Sequence, residues 1–336
     1  MKRAVSVLLS AILLLSVSSA LSETFIRIDR DDPDAWRGEL ANVRFLTEER
    51  MSGSAQFSEA QFSELAAQLK EQAGHVYVVD CRQESHGFIN GIAVSWCGEN
   101  NAANHGMTAE EIEAAEEELG AVTGKTVTAF TSENDLPVSG MDMLAETWNT
   151  ERALVEAAGF SYLRLACPDH CWPPSGVIDA FIGFAKDLPG DAWLHFHCQA
   201  GSGRTGAFMT VYEMMQKPDT PVEDILGHQA DTGSGNLLER AKPEKSYDQK
   251  IRCVMARAIY LYIHENRKSG YALSWTDWLE AHSRFLTLQT GESFTEARQG
   301  FSSDPAVADD SLRAVGEGEA AVLVGDDVFF VTVRRQ

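Results

Sequence analysis

Positive charge is what this chain lacks most. Its 336 residues hold 28 lysines and arginines against 50 aspartates and glutamates, a formal net charge of −22. A surface with that balance repels phosphate backbones and anionic bilayers, which argues against nucleic acid and anionic membranes as partners. Long apolar runs are missing too. The longest, Ala4–Val17, is too short to span a bilayer comfortably. Lys2 and Arg3 precede it, and small residues at Ser18-Ser19-Ala20 or Ala20-Leu21-Ser22 follow. Residues 1–22 therefore read as a secretory signal, and the mature protein is expected to be periplasmic or secreted, with no stable membrane association. No internal repeat is visible, which sets repeat architectures aside. Cysteine is sparse, at six residues. Cys81, Cys97, Cys167, Cys171 and Cys253 stand apart from Cys198; an oxidising compartment permits disulfides among them, in a pairing that spacing does not fix.

What is present centres on His197-Cys198-Gln199-Ala200-Gly201-Ser202-Gly203-Arg204-Thr205. The apolar run Ala192–Phe196 before it reads as a buried strand, and Gly206–Tyr212 after it has helical periodicity. Cys198 thus ends a strand and the following loop opens a helix. Gly201 and Gly203 let the backbone curl so that its N–H groups turn inward. The helix N-terminus adds partial positive charge, and Arg204 adds a planar fork of donors. The result is a cradle for a tetrahedral dianion with sulfur at its floor, in a field that favours the thiolate. A cysteine ending a buried strand is otherwise an inert core residue. Here the preceding histidine, both glycines, the Arg-Thr pair and the strand-to-helix context agree on a Cys-x5-Arg phosphatase loop.

Along the rest of the chain strands alternate with helices, which indicates an α/β fold, a sheet layered between helices. Strands are expected at 25–28, 43–46, 76–80, 126–130, 162–165 and 192–196. Helices are expected from Ser58, from Thr108 with a Glu111 capping box, over 150–158, from a Ser175 cap, from a Thr220–Glu223 capping box with Pro221 inside it, from about Tyr247, and from Ser274. Residues 289–318 are polar and expected to be loose. The apolar stretches 321–324 and 328–333 flank Gly325-Asp326 like a hairpin.

Phosphoryl transfer through a cysteine needs an acid to protonate the leaving alkoxide. Asp169, in a loop after a strand and hemmed by Pro168, His170, Trp172 and Pro173, suits that role; taken alone, a loop aspartate more commonly makes a turn.

Beyond the loop itself, several stretches match in order: Gly53–Ser58, Arg82–Phe88, Val94–Trp96, Asp169-His170 with Trp172-Pro173, Asp191–Thr205, Glu265–Arg267 and Gly270-Tyr271. In these the chain resembles the cysteine phytases, protein-tyrosine-phosphatase-like inositol polyphosphate phosphatases, over roughly residues 40–285. The resemblance implies a phosphatase domain over 23–288, with a small β-barrel subdomain built from parts of 23–50 and 85–140. The C-terminal extension 289–336 lies outside it. It further implies stepwise dephosphorylation of myo-inositol polyphosphates through a phosphocysteine, with no metal and no cofactor. Cys198 is then the nucleophile, Arg204 the phosphate clamp and Asp169 the general acid. Gln199, Ala200, Gly201, Ser202, Gly203 and Thr205 cradle the phosphate. His170 and Arg82 line the pocket, and Lys245 and Arg252 reach the substrate's other phosphates.

Some stretches depart from that pattern. Ser132-Glu133-Asn134-Asp135 stands where relatives carry basic residues, Cys167 and Cys171 are unusual, and 231–245 is unlike the family's segment. Three functions compete: an inositol polyphosphate phosphatase, a phosphatase for phosphotyrosine or phosphoinositides, and an inactive phosphate-binding module. Intact Cys198, Arg204 and Asp169 argue against the last. A rhodanese or arsenate-reductase reading leaves the Asp169 stretch unexplained.

Overall fold

The computed structural model describes residues 24–29, 36, 38–98, 101–133, 135–294 and 299–335. The signal-like segment 1–22 and Asn134 lie outside the described residues. In chain order the strands begin with β1 (Phe25–Ile28), β2 (Arg44–Leu46), β3 (Met51–Ser54), β4 (His75–Asp80), β5 (His86–Ile89), β6 (Ile92–Cys97), β7 (Thr126–Glu133) and β8 (Leu136–Leu144). They continue with β9 (Trp148–Asn149), β10 (Ser161–Arg164), β11 (Ala192–His197), β12 (Ser283–Gln289), β13 (Phe301–Ser302), β14 (Gly318–Val324) and β15 (Asp327–Arg334). The α-helices are α1 (Glu59–Gln72), α2 (Ala109–Leu119), α3 (Glu151–Ala157), α4 (Ser175–Ala185), α5 (Gly203–Gln216), α6 (Val222–Asp231), α7 (Tyr247–Asn266) and α8 (Trp275–His282). None of the described helices is long and apolar enough to cross a membrane.

The chain divides into two compact units. One gathers residues up to Val43 with 54–169 and 191–200; the other gathers 44–53, 170–190 and 201–336. In the first unit the apolar strands pair in parallel, in the order β10-β4-β11. Every residue of β11 is buried, as its unbroken apolar run requires when both faces are covered. Parallel pairing with His197 opposite Asp80 and Arg164 opposite the same residue delivers three strand ends to one edge of the sheet. That edge is where α/β proteins place their chemistry. Helix α1 carries the expected Ser58–Gln61 capping box and buries Phe62, Leu65, Ala66 and Leu69 on one face.

The same unit holds a six-stranded sheet in the order β8-β7-β1-β6-β5-β9. Its core is Ile89, Val94, Trp96 and Ala145, with Trp148 packed edge-to-face on Trp96 at 5.4 Å. The resemblance implies a barrel here, but the sheet keeps two edges, β8 and β9. Its strands come from 25–28, 86–97 and 126–149, while 44–54 forms the β2–β3 hairpin.

In the second unit α5 buries eleven of its fourteen residues, so it is a core helix. Two helix starts differ from expectation. Pro174 and Pro221, at φ −56° and −53° with extended ψ, occupy the positions before α4 and α6, and neither helix has a side-chain cap. Proline's fixed φ supplies the entry geometry and displaces Ser175 and Thr220 from the capping position. Residues 299–318, expected to be loose, are packed. The sheet β12-β15-β14-β13 covers a core of Val307, Ala308, Leu312 and Ala314 with Ala320, Val322 and Val331. Strands β14 and β15 pair antiparallel across Gly325 at φ 61° and Asp326.

Candidate active site

Cys198 follows β11 and is 3 % exposed. Its approach is fixed from below. The Cys81 amide donates to the His197 carbonyl at 2.9 Å, and the Gln56 amide donates to the Gln199 carbonyl at 3.1 Å. Gln56 does more with its side chain. Its Nε2 donates to Glu151 Oε2 at 2.8 Å, and its Oε1 accepts from Arg82 Nη1 at 2.7 Å. His197 Nε2 lies 2.6 Å from Glu151 Oε1. The residue before the cysteine and the residue after it therefore share one buried support.

That support extends through a layer of paired charges beneath the strand ends. Arg82 is fully buried, and its guanidinium binds Asp29 at 2.7 Å, Glu84 at 2.8 Å and Gln56. Arg164 meets Asp80 and Glu116 at 3.0 Å each, and His86 meets Glu151 at 3.1 Å and Asp80 at 3.3 Å. Buried charges survive only when paired and hydrogen-bonded, and each of these is. Burial pushes the Asp29 carboxyl up, but the Arg82 and Arg27 guanidiniums outweigh it and hold it below the usual range. Glu151 is likewise opposed by burial and held well below its ordinary value by His197 and His86. Burial disfavours the His86 cation, yet Asp80 and Glu151 raise its pKa above the usual 6.5.

Asp169 is half-buried in the turn after β10. Asn101 Nδ2 donates to its Oδ2 at 2.9 Å. Asn101 is itself 1 % exposed, sits at φ 54°, and accepts from the Cys97 thiol at 3.4 Å. The Cys97 contact presents the amide's donor end to Asp169, leaving the other carboxyl oxygen outside this bond. Burial pushes the Cys97 thiol up to about 12, so it stays protonated. His170, next in the chain, is exposed at φ 61°, with Gln249 Nε2 3.5 Å from its Nδ1.

The loop beyond Cys198 leads into the second unit. Gly201 adopts φ 72°, a left-handed turn that glycine makes without strain. The Ser202 carbonyl accepts from the amides of both Gly206 and Gly235 at 3.0 Å. A Cβ on Gly206 would sit 2.7 Å from Ser234, so only glycine permits this close approach. Arg204, in the first turn of α5, is 2 % exposed, and Thr205 is fully buried. Arg252 Nη2 donates to the Gly203 carbonyl at 3.0 Å, bracing the backbone one residue before Arg204.

Lys245 and Arg252, seven residues apart, would share a helix face only if the helix began before Lys245. Helix α7 starts at Tyr247 with Ser246 as its cap, so Lys245 stands ahead of it. Both still line one cavity of about 120 Å³, with Asn236, Glu239 and Gln249 among its other walls. Gln199 is half-buried and Ala200 exposed, its carbonyl 3.4 Å from Asn42 Nδ2. Asp135, in the stretch that replaces basic residues, accepts from the buried Arg27 at 3.2 Å.

Two clusters among the described residues have metal-ligand proximity: Asp80, Glu151 and His197, and Glu49, Glu213 and His228. Both are occupied by the protein's own cations, Arg164 and His86 in the first and Lys217 in the second.

Gln56, Glu151, Asn101 and Asp29 escaped the reading of the sequence. Gln56 lies inside the Gly53–Ser58 match, which was the one available signal. The others are single polar residues in loops or at helix starts.

The family profile for PTP-like phytases, described as inositol hexakisphosphate, matches residues 79–216. The tandemly repeated PTP-like phytase of Mitsuokella multacida is 34 % identical with a TM-score of 0.69, over 76 % of this chain and 49 % of its own. The effector protein hopD2 of Pseudomonas syringae pv. tomato is 27 % identical over 72 % of this chain and 52 % of its own length. The chain thus spans about half the length of these two. A PTP-like phytase from Bdellovibrio bacteriovorus is 30 % identical with a TM-score of 0.63, and there the match covers 94 % of the relative and 76 % of this chain. With its strand-to-helix cysteine loop and a match across nearly the whole Bdellovibrio protein, this chain belongs to the PTP-like phytase family.

Proposed function

We propose that the protein is a cysteine-dependent phosphomonoesterase that removes phosphates stepwise from inositol polyphosphates. Cys198 sulfur attacks phosphorus in line with the ester oxygen. The P–O bond breaks as the P–S bond forms, and Asp169 gives its proton to the departing inositol oxygen. Arg204 and the amides of the 199–205 loop hold the equatorial oxygens, whose charge is best met by a bidentate fork. Asp169, now ionised, takes a proton from water, which attacks phosphorus and releases phosphate and the Cys198 thiolate. No metal takes part in this scheme. A substrate with several phosphates leaves others at the rim, where Lys245, Arg252 and His170 meet them.

The observation that carries this reading is Asp169 itself, held by Asn101 in a turn after a strand of the same unit that presents Cys198. The substrate class is supported by a further solved structure, 33 % identical to this chain, of a PTP-like myo-inositol phosphatase from Mitsuokella multacida in complex with myo-inositol-(1,3,4,5)-tetrakisphosphate. The signal-like start fits a periplasmic or secreted enzyme. A panel of inositol hexakisphosphate, a phosphotyrosine peptide and a phosphoinositide, run with and without EDTA, tests the proposal. Phosphate release should be fastest from the hexakisphosphate and indifferent to EDTA. A phosphopeptide as the better substrate overturns the substrate class, and C198S retaining turnover within tenfold overturns the mechanism.

A further inference from the structure

The segment 231–245 departs from the family's pattern and the C-terminal extension lies outside the resemblance, and the structure ties the two together. Arg240 Nη2 binds both carboxyl oxygens of Asp310, at 2.7 and 2.9 Å, and its Nε donates to the Ser302 carbonyl at 2.7 Å. Its guanidinium lies 4.5 Å over the Phe301 ring, and that of Arg257 lies 4.0 Å from the same ring. Arg257 in turn donates to the carbonyls of Leu237 and Leu238 at 3.3 and 3.1 Å. Lys250 Nζ, in the first turns of α7, meets Asp304 at 2.7 Å with both side chains about 15 % exposed.

Asp310 is itself positioned from the extension. The Ser302 amide donates to its Oδ1 at 2.8 Å, and the Gly300 amide to its carbonyl at 2.8 Å. The core of Val307, Ala308, Leu312 and Ala314 lies under this loop. So the β-module grips Arg240 on one side and Lys250 near the start of α7 on the other, while Arg257 of α7, stacked on Phe301, holds the carbonyls of Leu237 and Leu238. Between those two grips lie Ala241, Lys245 and Gln249 of the cavity wall, with Arg252 just beyond.

We propose that the C-terminal sheet is a specificity module: through Arg240–Asp310 and Lys250–Asp304 it sets the position of Lys245 and Arg252 and thereby the affinity for substrates with several phosphates. Asp304, Asp310 and Arg240 are positioning residues, acting through the cavity wall. The proposal rests on the inositol polyphosphate reading for its substrate, but its mechanical part is independent of it. The charge of Asp310 strengthens this bond, in which one guanidinium nitrogen reaches both carboxyl oxygens; an asparagine keeps the Oδ1 acceptor for the Ser302 amide and loses the charge and the Oδ2 acceptor.

The test uses the full-length protein and D310N, D310E and the R240D/D310R exchange. Hydrogen exchange without any substrate reads the coupling. D310N should speed exchange at amides 237–246 about fivefold or more and leave 192–198 unchanged, and D310E should restore part of the protection. Kinetics reads the consequence. D310N loosens the Lys245 side of the cavity and leaves Lys250–Asp304 to hold the helix that carries Arg252. It should therefore raise KM for inositol hexakisphosphate about fivefold at constant kcat, leave p-nitrophenyl phosphate hydrolysis unaltered, and be reversed in part by the charge exchange. Unchanged exchange at 237–246 overturns the coupling whatever the substrate is. Faster exchange with an unchanged hexakisphosphate KM, or with equal losses on both substrates, overturns the specificity role. If wild type prefers a monophosphate, the substrate reading fails, while the exchange result still decides the coupling.

Discussion

Gln56 joins a guanidinium, a carboxylate and a backbone carbonyl with one side chain and one amide. Replacing it with leucine leaves Arg82 and Glu151 each short of a buried partner. That should cost about 1–3 kcal/mol of stability, read from denaturant midpoints, while the main-chain amide keeps its bond to the Gln199 carbonyl. A full-stability Q56L would mean that water replaces the amide without loss. Asp169→Asn should slow inositol ester hydrolysis by about 10²–10⁴-fold, and much less for an aryl phosphate whose leaving group needs little protonation. Asn101→Ala should reproduce part of that split, because it removes one hold on the carboxyl without removing the carboxyl itself. Equal losses on alkyl and aryl esters would make both residues structural. Cys198 and Arg204 were legible because a phosphate cradle needs them adjacent in the chain. Asn101 and Gln56 were not, because they act 68 and 95 residues away from Asp169 and Glu151, and an isolated polar residue looks the same whether it is solvated or buried.

At the scale of elements, α5 and α7 fix the phosphate-binding end of the site. Gly206→Ala drives a methyl into Ser234 at the start of α5 and should destabilise by about 1–3 kcal/mol, despite alanine's better helix propensity. The two basic residues of the cavity should behave differently. Lys245→Ala should raise KM for inositol hexakisphosphate roughly five- to tenfold at constant kcat, the pattern of lost uniform binding. Arg252→Ala should also lower kcat, since it removes the brace on the Gly203 carbonyl. Identical effects of both would contradict that brace. Strands β4, β10 and β11 and the capped helices could be read from periodicity and cap chemistry. The 299–318 segment could not, because Val307, Ala308, Leu312 and Ala314 pack from irregular backbone and leave no period behind.

Across the whole molecule, stability should depend on pH through the buried charge layer. Asp29 and Glu151 have pKa values below their unfolded 3.8 and 4.5, so their contribution is present above those values and is lost as pH falls through the lower folded ones. His86 has a pKa above its unfolded 6.5, so its contribution is complete below 6.5 and is lost as pH rises through the folded value. Glu116, its pKa raised by burial, loses its contribution as pH climbs from 4.5 through its folded value. The melting temperature should therefore fall in acid below about 4.5 and fall again in base above about 6.5. His86→Gln should flatten the alkaline decline, and a wild-type melting temperature still climbing past neutral pH would contradict the assignment. The net charge of −22 gives the local cations their significance, since a polyanionic substrate must be captured by a few basic groups against a repelling background.

The most direct measurement is an acid quench of the wild-type enzyme within milliseconds of mixing with inositol hexakisphosphate, followed by mass spectrometry of its peptides. Phosphate on the peptide that carries Cys198, absent from C198S, is the expected result. Turnover with phosphate on another residue, or with none bound to the enzyme at any time, would contradict the phosphocysteine mechanism.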